Sequence, residues 1–510
     1  MPKGYLALHL HAHLPFVRHP EFPQFLEERW FFDAIVDTYV PLLSRFEQLH
    51  NEGTPFRLSM TLTPTLLSMF ADRTLQERFE AHLLHQRELA DRETVRIGDD
   101  PDFAPVVAMY MRRINEVALQ WGRFGGNLAN AFRMLADMGH IEIVTCGATH
   151  GFLPHMQLVP GAVSRQLRVA VETHERLLER KPDGIWLPEC AYYPGLESEL
   201  LDHGLLYCFV DSHAHHLGNP RSLRGVHSHV YMPNGVASFA RDIESSKQVW
   251  SSKEGYPGDS SYRDFYRDIG FDLPREYMAP YIHHGDTPIL TGLKYYRITG
   301  DTEHKEPYDP EVAQLRAAEH AQHFVRARES QVESLADKLD RPPIIVAPYD
   351  AELFGHWWFE GPDFLYHVLK ATSYSDVVDA IAAKDYLLLH PSAQVVVPNA
   401  SSWGDQGYYR FWLNGYNEWM YPHLNASARL MPQHNWSEGW RRESYQQAER
   451  ELLLAQSSDW PFIMSTGTSP GYAAERVTRH LANLTELREA LISGKAPPHL
   501  QEMQERDSIF

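Results

Sequence analysis

Trp186-Leu-Pro-Glu-Cys-Ala-Tyr192 is the stretch on which the architecture of the chain turns. Upstream, residues 162–180 have a helical pattern with Val163, Leu167, Ala170, Val171, Leu177 and Leu178 on one face. Lys181-Pro-Asp-Gly184 breaks that pattern, and Ile185-Trp-Leu187 reads as a short buried strand. Pro188 has no N–H for a sheet ladder, so pairing stops there and Glu189 stands at the strand's C-terminal end. Proteins with alternating helices and strands keep their active sites at such ends; a Glu so placed can equally cap the next helix. The same grammar recurs further on. A run free of Pro and Gly, residues 311–339, leads through Arg341-Pro-Pro343 into Ile344-Ile-Val-Ala-Pro-Tyr-Asp350: helix, breaker, buried strand, Pro and carboxylate.

A chain of 510 residues exceeds one ordinary core and implies two or three domains. Hydrophobic content of 43%, with 12 Trp, 25 Tyr and 24 Phe, is ample for globular folding. A formal charge of −20 argues against a nucleic-acid or anionic-membrane partner, either of which would want basic patches. Cys146, Cys190 and Cys208 lack CxxC spacing and follow apolar runs, which makes them buried thiols rather than a disulfide framework. The N-terminal residues enter a strand directly without a signal-peptide pattern, and no apolar run approaches the ~18 residues of a membrane span. A cytoplasmic protein is expected.

Tyr5-Leu-Ala-Leu-His-Leu-His-Ala-His-Leu-Pro15 reads as the first strand, with His9, His11 and His13 alternating onto one face. An HxH at the end of a first strand is how metal-dependent barrel hydrolases hold zinc; a row of hydrogen-bonding imidazoles lining a polar pocket is the alternative. Residues 56–67 read as a second strand and its exit. Residues 75–93 and 103–138 are mostly helical, a subdomain inserted between strands at about 70–138. Ile141 to His150 returns to a strand ending at His150, residues 206–211 and 230–242 add strands, and residues 386–389 another. Residues 243–273 are polar and turn-rich, and Gly255-Tyr-Pro-Gly258 sets an aromatic between flexible points, which suits a lid. Strands alternating with helices predict an α/β fold, a parallel barrel or a doubly wound sheet. No GxGxxG or P-loop follows any strand, which weakens nucleotide binding. Beyond about residue 399 the chain reads as loop and then helices from Trp436 to Ser457 and from Ala473 to Ser493, a helical C-terminal domain.

Glu189 and Asp350 are both flanked by aromatics: Trp186, Tyr192 and Tyr193 near one, Tyr349, Trp357 and Trp358 near the other. Sugar rings stack their C–H faces on aromatic planes and offer hydroxyls to polar side chains. Two carboxyls in that setting suit glycosidic bond chemistry, one attacking or activating water and the other protonating the leaving oxygen. The segment from Asn399 to Trp412 adds Trp403, Tyr408, Tyr409 and Trp412 among Gly and polar residues, as platforms for a sugar chain or as packing between domains.

The sequence resembles glycoside hydrolase family 57, and within it the α-1,4-glucan branching enzymes. The resemblance lies in His9-Leu-His-Ala-His-Leu-Pro15, Cys146-Gly-Ala-Thr-His150, Trp186-Leu-Pro-Glu-Cys190, Ala347-Pro-Tyr-Asp-Ala-Glu-Leu-Phe-Gly-His356 and the segment from Trp403 to Trp412, in the family's order over nearly the whole chain. It implies a retaining mechanism on an incomplete (β/α)7 barrel with no metal cofactor, Glu189 as nucleophile and Asp350 as general acid/base. Retention predicts carboxyls about 5–5.5 Å apart. Cys190 after the nucleophile, the Gly-Tyr-Pro-Gly loop and Ser457-Ser-Asp-Trp-Pro-Phe462 resemble the branching subgroup rather than its amylases and 4-α-glucanotransferases. By the same resemblance His11, His13, His150, Arg267, Trp403, Trp412 and Asp459 are substrate contacts, Tyr256 is the lid aromatic, and the partner is amylose, amylopectin or glycogen. The implied division is a catalytic barrel over about residues 1–398 and a helical domain over about 399–510. A metal-dependent deacetylase or amidohydrolase built on the three N-terminal histidines, and a catalytically silent glucan-binding protein, are the readings from other classes.

Overall fold

The structure, a computed structural model, describes residues 2–251, 254–281, 289–432, 436 and 439–510. Residues 252 and 253 of the expected lid, and 437 and 438 of the expected helix after Trp436, lie outside the described residues.

The strands are β1 (Gly4–Ala12), β2 (Leu58–Leu62), β3 (Ile141–Val144), β4 (Gly184–Trp186), β5 (Tyr207–Val210), β6 (Val230–Tyr231), β7 (Ala237–Ala240), β8 (Ile344–Asp350) and β9 (Val378–Ala380). They fall into two sheets. In one, β1 pairs in parallel with β2, β8 and β9, and β2 pairs in parallel with β3. In the other, β4, β5 and β7 run parallel and β6 is antiparallel to β7. Backbone hydrogen bonds join the sheets: Trp186 N donates to Thr145 O just past β3 (2.9 Å), and Asp242 N donates to Val346 O of β8 (2.8 Å).

Every residue of β1 is buried, as expected of a parallel strand covered on both faces. Period-2 alternation sorts its side chains. Leu6, Leu8 and Leu10 pack in the main apolar core beside Ala313, Ala317, Ala321 and Phe324 of the helix Pro310–Ala336. Tyr5 and Ala7 point the other way, into a cluster with Trp186, Phe209, Phe239 and Val346. His9 and His11 follow on that inner face, and β1 pairs His11 with Asp350 in register. Helices begin where the sequence supplies caps. Asp309 accepts from Glu311 N (2.9 Å) and Val312 N (3.1 Å) with Pro310 in the first turn, and Asp72 accepts from Leu75 N (2.9 Å) to start Arg73–Ile97.

The expected helices between β2 and β3 are Arg73–Ile97, Ala104–Arg123 and Ala129–Asp137. After residue 399 come Met420–Arg429, Gly439–Ala455, Asp459–Thr466, Pro470–Ser493 and Leu500–Arg506. All three cysteines are buried free thiols.

Several elements differ from expectation. Residues 386–389 are not a strand but part of the helix Ala383–Leu389, with Tyr386 buried and Leu388 and Leu389 exposed. A short apolar run has no period to separate strand from helix, and β9 takes the expected place beside β1. Residues 230–242 hold two antiparallel strands, turned by Pro233-Asn-Gly235. The strand from Ile141 stops at Val144, and His150 lies beyond it in a left-handed conformation (φ 55°). The polar stretch from Ile243 opens as a helix, Ile243–Trp250, because Asp242 caps it by accepting from Ser245 N (2.8 Å). Finally, the helix running from Glu28 to Asn51 contains a π-helical turn, Ile35–Tyr39, a rare widening that recurs at functional sites.

Candidate active site

Glu189 is placed by a backbone that few side chains tolerate. Beyond β4, Glu189 (φ 63°) and Cys190 (φ 51°) are consecutive left-handed residues, each disfavoured for a residue with a Cβ. Contacts from the far end of the chain hold them. Trp403 N donates to Glu189 O (3.0 Å), Trp403 Nε1 to Glu189 Oε2 (2.7 Å), and Ser458 Oγ to Glu189 Oε1 (3.4 Å). Tyr192 and Ser401 add a β-bridge beside them. Such strain persists only where surrounding contacts over-determine it, and it concentrates at functional sites.

Asp350 ends β8, one strand away from the histidine row. His9 is fully engaged, with Ser59 Oγ at 2.9 Å and Thr61 Oγ1 at 2.8 Å, its ring stacked on Trp186. His11 Nε2 meets His150 Nε2 at 3.0 Å, and His11 also stacks on Trp186. His13 Nδ1 meets Thr63 Oγ1 at 3.1 Å, its Nε2 lies 3.1 Å from Asp459 Oδ2, and its ring stacks on His150 at 4.0 Å between centroids. His150 Nδ1 meets Ser458 Oγ at 2.8 Å. Glu189, His11, His13, His150, Trp403 and Asp459 therefore form one stacked and hydrogen-bonded cluster, with Asp350 beside His11.

Of the other expected contacts, Trp412 packs behind Trp403 and Ala191, while Tyr256 and Arg267 have partners outside this cluster. Trp412 is buried, its ring stacked on Phe152. Tyr256 packs in the main core, its hydroxyl 2.8 Å from His323 Nδ1 and its ring against His320 and Phe364. Arg267 pairs with Asp272 (2.7 Å). Ser458 and Glu352 were missed as site residues although both fall inside quoted motifs. Tyr39, whose hydroxyl donates to Glu352 Oε1, had no sequence signal beyond a helical tyrosine.

Burial raises both carboxyls. Burial pushes Glu189 up to about 8, with the Asp350 and Asp459 charges adding to it and the Trp403 N–H and His13 opposing it. Burial, then the charge of Glu352, holds Asp350 well above the carboxylate range. Burial works to raise Asp459 too, but the charge and hydrogen bond of His13, with His150, keep it below its usual value. Burial brings His9 down to about 3 and keeps His11 and His150 well below the imidazole range, so these rings are neutral donors and acceptors.

Among the described residues, His11, Cys146 and His150, and also His13, His150 and Asp459, lie close enough to share a metal ion. His9 belongs to neither group, its nitrogens being taken by Ser59 and Thr61. Of the three N-terminal histidines of the metal-dependent reading, His11 and His13 thus fall in such groups among the described residues and His9 does not.

Two half-buried carboxyls at the ends of parallel strands, ringed by imidazoles and indole, have the chemistry that breaking and remaking a glycosidic bond requires. Comparison with known proteins agrees. The family model for glycosyl hydrolase family 57 matches residues 7–366, and the model for the 1,4-alpha-glucan branching enzyme C-terminal region matches residues 423–510. The chain belongs to glycosyl hydrolase family 57. It is 33% identical to the 1,4-alpha-glucan branching enzyme TK1436 of Thermococcus kodakarensis, over 100% of this chain and 77% of that one. The crystal structure of the alpha-amylase AmyC from Thermotoga maritima superposes with a TM-score of 0.94 at 40% identity, covering 100% of this chain and 98% of AmyC. The branching enzyme from Pyrococcus horikoshii superposes with a TM-score of 0.89 at 32% identity, covering 100% and 95%.

Proposed function

We propose that this protein is a 1,4-α-glucan branching enzyme that cleaves an α-1,4 chain and transfers it to a sugar 6-hydroxyl by a retaining double displacement. One observation carries the reading. The region matching the branching-enzyme C-terminal model supplies Ser458 and Asp459 to the cluster around Glu189. That region is part of the catalytic centre rather than an appendage to it.

Glu189 is the nucleophile and Asp350 the general acid/base. Retaining chemistry needs one carboxyl ionised and the other protonated. Glu189 has two donors to receive its charge, Trp403 and Ser458, and is the easier to ionise. Asp350, held well above the carboxylate range by burial and by the neighbouring Glu352, is assigned the proton. Asp350 then protonates the glycosidic oxygen as Glu189 bonds to the anomeric carbon, and as a carboxylate it later deprotonates the incoming hydroxyl. His11, His13, His150, Trp403 and Asp459 surround the sugar on the nucleophile's side. The joints between the sheets support a distorted barrel of the incomplete (β/α)7 kind. Around it we place a helical insertion at about 70–138 and a helical domain from about 399. Three buried thiols suit the reducing cytoplasm, where glycogen, amylose or amylopectin would be branched.

A second reading, α-amylase, is favoured by the likeness to AmyC. It uses the same pair with water as acceptor. Proton NMR of amylose incubated with EDTA-treated protein separates the two. New α-1,6 anomeric signals are expected. Shorter α-1,4 chains alone would mean hydrolysis, and unchanged amylose would overturn both.

A further inference from the structure

We propose that Tyr39 and Glu352 are positioning residues for the acid step, in which the Glu352 carboxylate, held by the Tyr39 hydroxyl and the His13 amide, keeps Asp350 protonated during α-1,4 cleavage. This rests on the assignment of Asp350 as the acid in the proposed reaction.

Glu352 lies two residues beyond Asp350, in the 3-10 turn Ala351–Leu353, and is 9% exposed. Its Oε1 accepts from Tyr39 OH and from His13 N (3.1 Å). Both donors are neutral, and no Lys or Arg pairs with Glu352 among the described residues. A buried carboxylate kept for stability is ordinarily paired with a cation. Here the negative charge is solvated by a phenol and an amide and is left to act on its neighbours. The titratable groups facing it are Tyr39 from the π turn, His13 from the end of β1, and Asp350 on its own segment; His13's ring is already taken by Thr63 and Asp459. Its charge bears on Asp350 and also raises the Tyr39 phenol; Asp350 in turn interacts with Glu189 across the site.

The π turn is what brings Tyr39 within reach. Tyr39 is wholly buried, and Phe70 meets its ring edge-on at 5.4 Å. The turn also seats the loop after Glu352, since His356 N donates to Thr38 Oγ1 (3.2 Å). Burial, opposed by Tyr39 and the His13 amide, leaves Glu352 ionising at about 7, and burial together with the Glu352 charge raises Asp350. In the acid step the Asp350 O–H proton passes to the glycosidic oxygen, the C1–O bond breaks and the Glu189–C1 bond forms. Above about neutral pH an ionised Glu352 favours retention of that proton until the sugar arrives.

The test is the pH profile of kcat/KM read as loss of amylose–iodine absorbance, which branching and hydrolysis both cause. Glu352→Gln keeps an acceptor oxygen for both donors and removes the charge. Its alkaline limb should fall by about 1–3 pH units, the usual effect of one nearby charge. Tyr39→Phe should move it the same way by less, because Glu352 without its phenol ionises at higher pH. Glu352→Asp, which keeps the charge, should return the limb toward wild type. If Glu352→Gln does not melt as a folded protein, Tyr39→Phe decides. Limbs that superimpose on wild type overturn the proposal, whatever the overall rate. Failure of the branching reading shows separately, as wild-type product without α-1,6 signals, and leaves the pH test intact.

Discussion

At Glu189, two oxygens meet two donors, and the stronger contact is the Trp403 indole at 2.7 Å. Trp403→Phe keeps the aromatic plane and deletes that N–H. A hydrogen bond to a charged group contributes about 1.5–3 kcal/mol, so kcat/KM should fall roughly ten- to a hundredfold. The acid limb of its pH profile should also move upward, because the Trp403 bond is what opposes burial at Glu189. A fall in rate without that movement would mean that Trp403 acts only as a sugar platform. Asp350→Asn should lower kcat by about 10²–10⁴-fold, the usual worth of a general acid. Donors with leaving groups that need no protonation should recover much of the loss. Absence of recovery would place the acid elsewhere.

At the scale of elements, the loop after β8 is fixed by one close approach. Gly355 (φ 115°) lies against the π turn so tightly that a Cβ would sit 1.8 Å from Asp37 O. Gly355→Ala combines a backbone conformation costing about 1–3 kcal/mol with that clash. A lowered melting temperature and a loss of activity together are expected; a melt unchanged from wild type would show that the loop can give way. This also explains what the sequence made legible. β4 and β8 announced themselves because helix, breaker, apolar run, Pro and acid follow one another locally. β9 did not, since a strand of three residues depends on pairing with β1, some 370 residues earlier, rather than on any pattern of its own. Gly255-Tyr-Pro-Gly258 suits a lid by its sequence, but the partners that place Tyr256, His320 and His323, lie on a helix over 60 residues away and leave no local mark. Glu189, the proposed nucleophile, is visible through its strand; Tyr39 depends on a widened turn that composition does not mark.

Across the whole molecule, the site draws on segments far apart in sequence. His13 and Asp459 touch across 446 residues, and Glu189 and Ser458 across 269. Leu453 and Leu454 are buried with residues of the first half of the chain, Ala148 and Ala170 around one and the main core around the other. A fragment comprising residues 1–398 should therefore be inactive and should expose apolar surface, read as dye binding and aggregation. Adding back residues 399–510 as a separate chain should restore some turnover if the two parts dock. Turnover by the first fragment alone would contradict the assignment of Trp403, Ser458 and Asp459 to the site.

The contact of His13 with Asp459 also bears on how the protein matures. Contacts between distant parts of a chain form late, after local helices and shorter closures. During refolding from denaturant, helical signal should return first and glucan-cleaving activity last. Until Asp459 and Ser458 dock, Glu189 and the imidazoles have no complete setting in which to react, so a half-folded chain meeting a polysaccharide leaves it uncut.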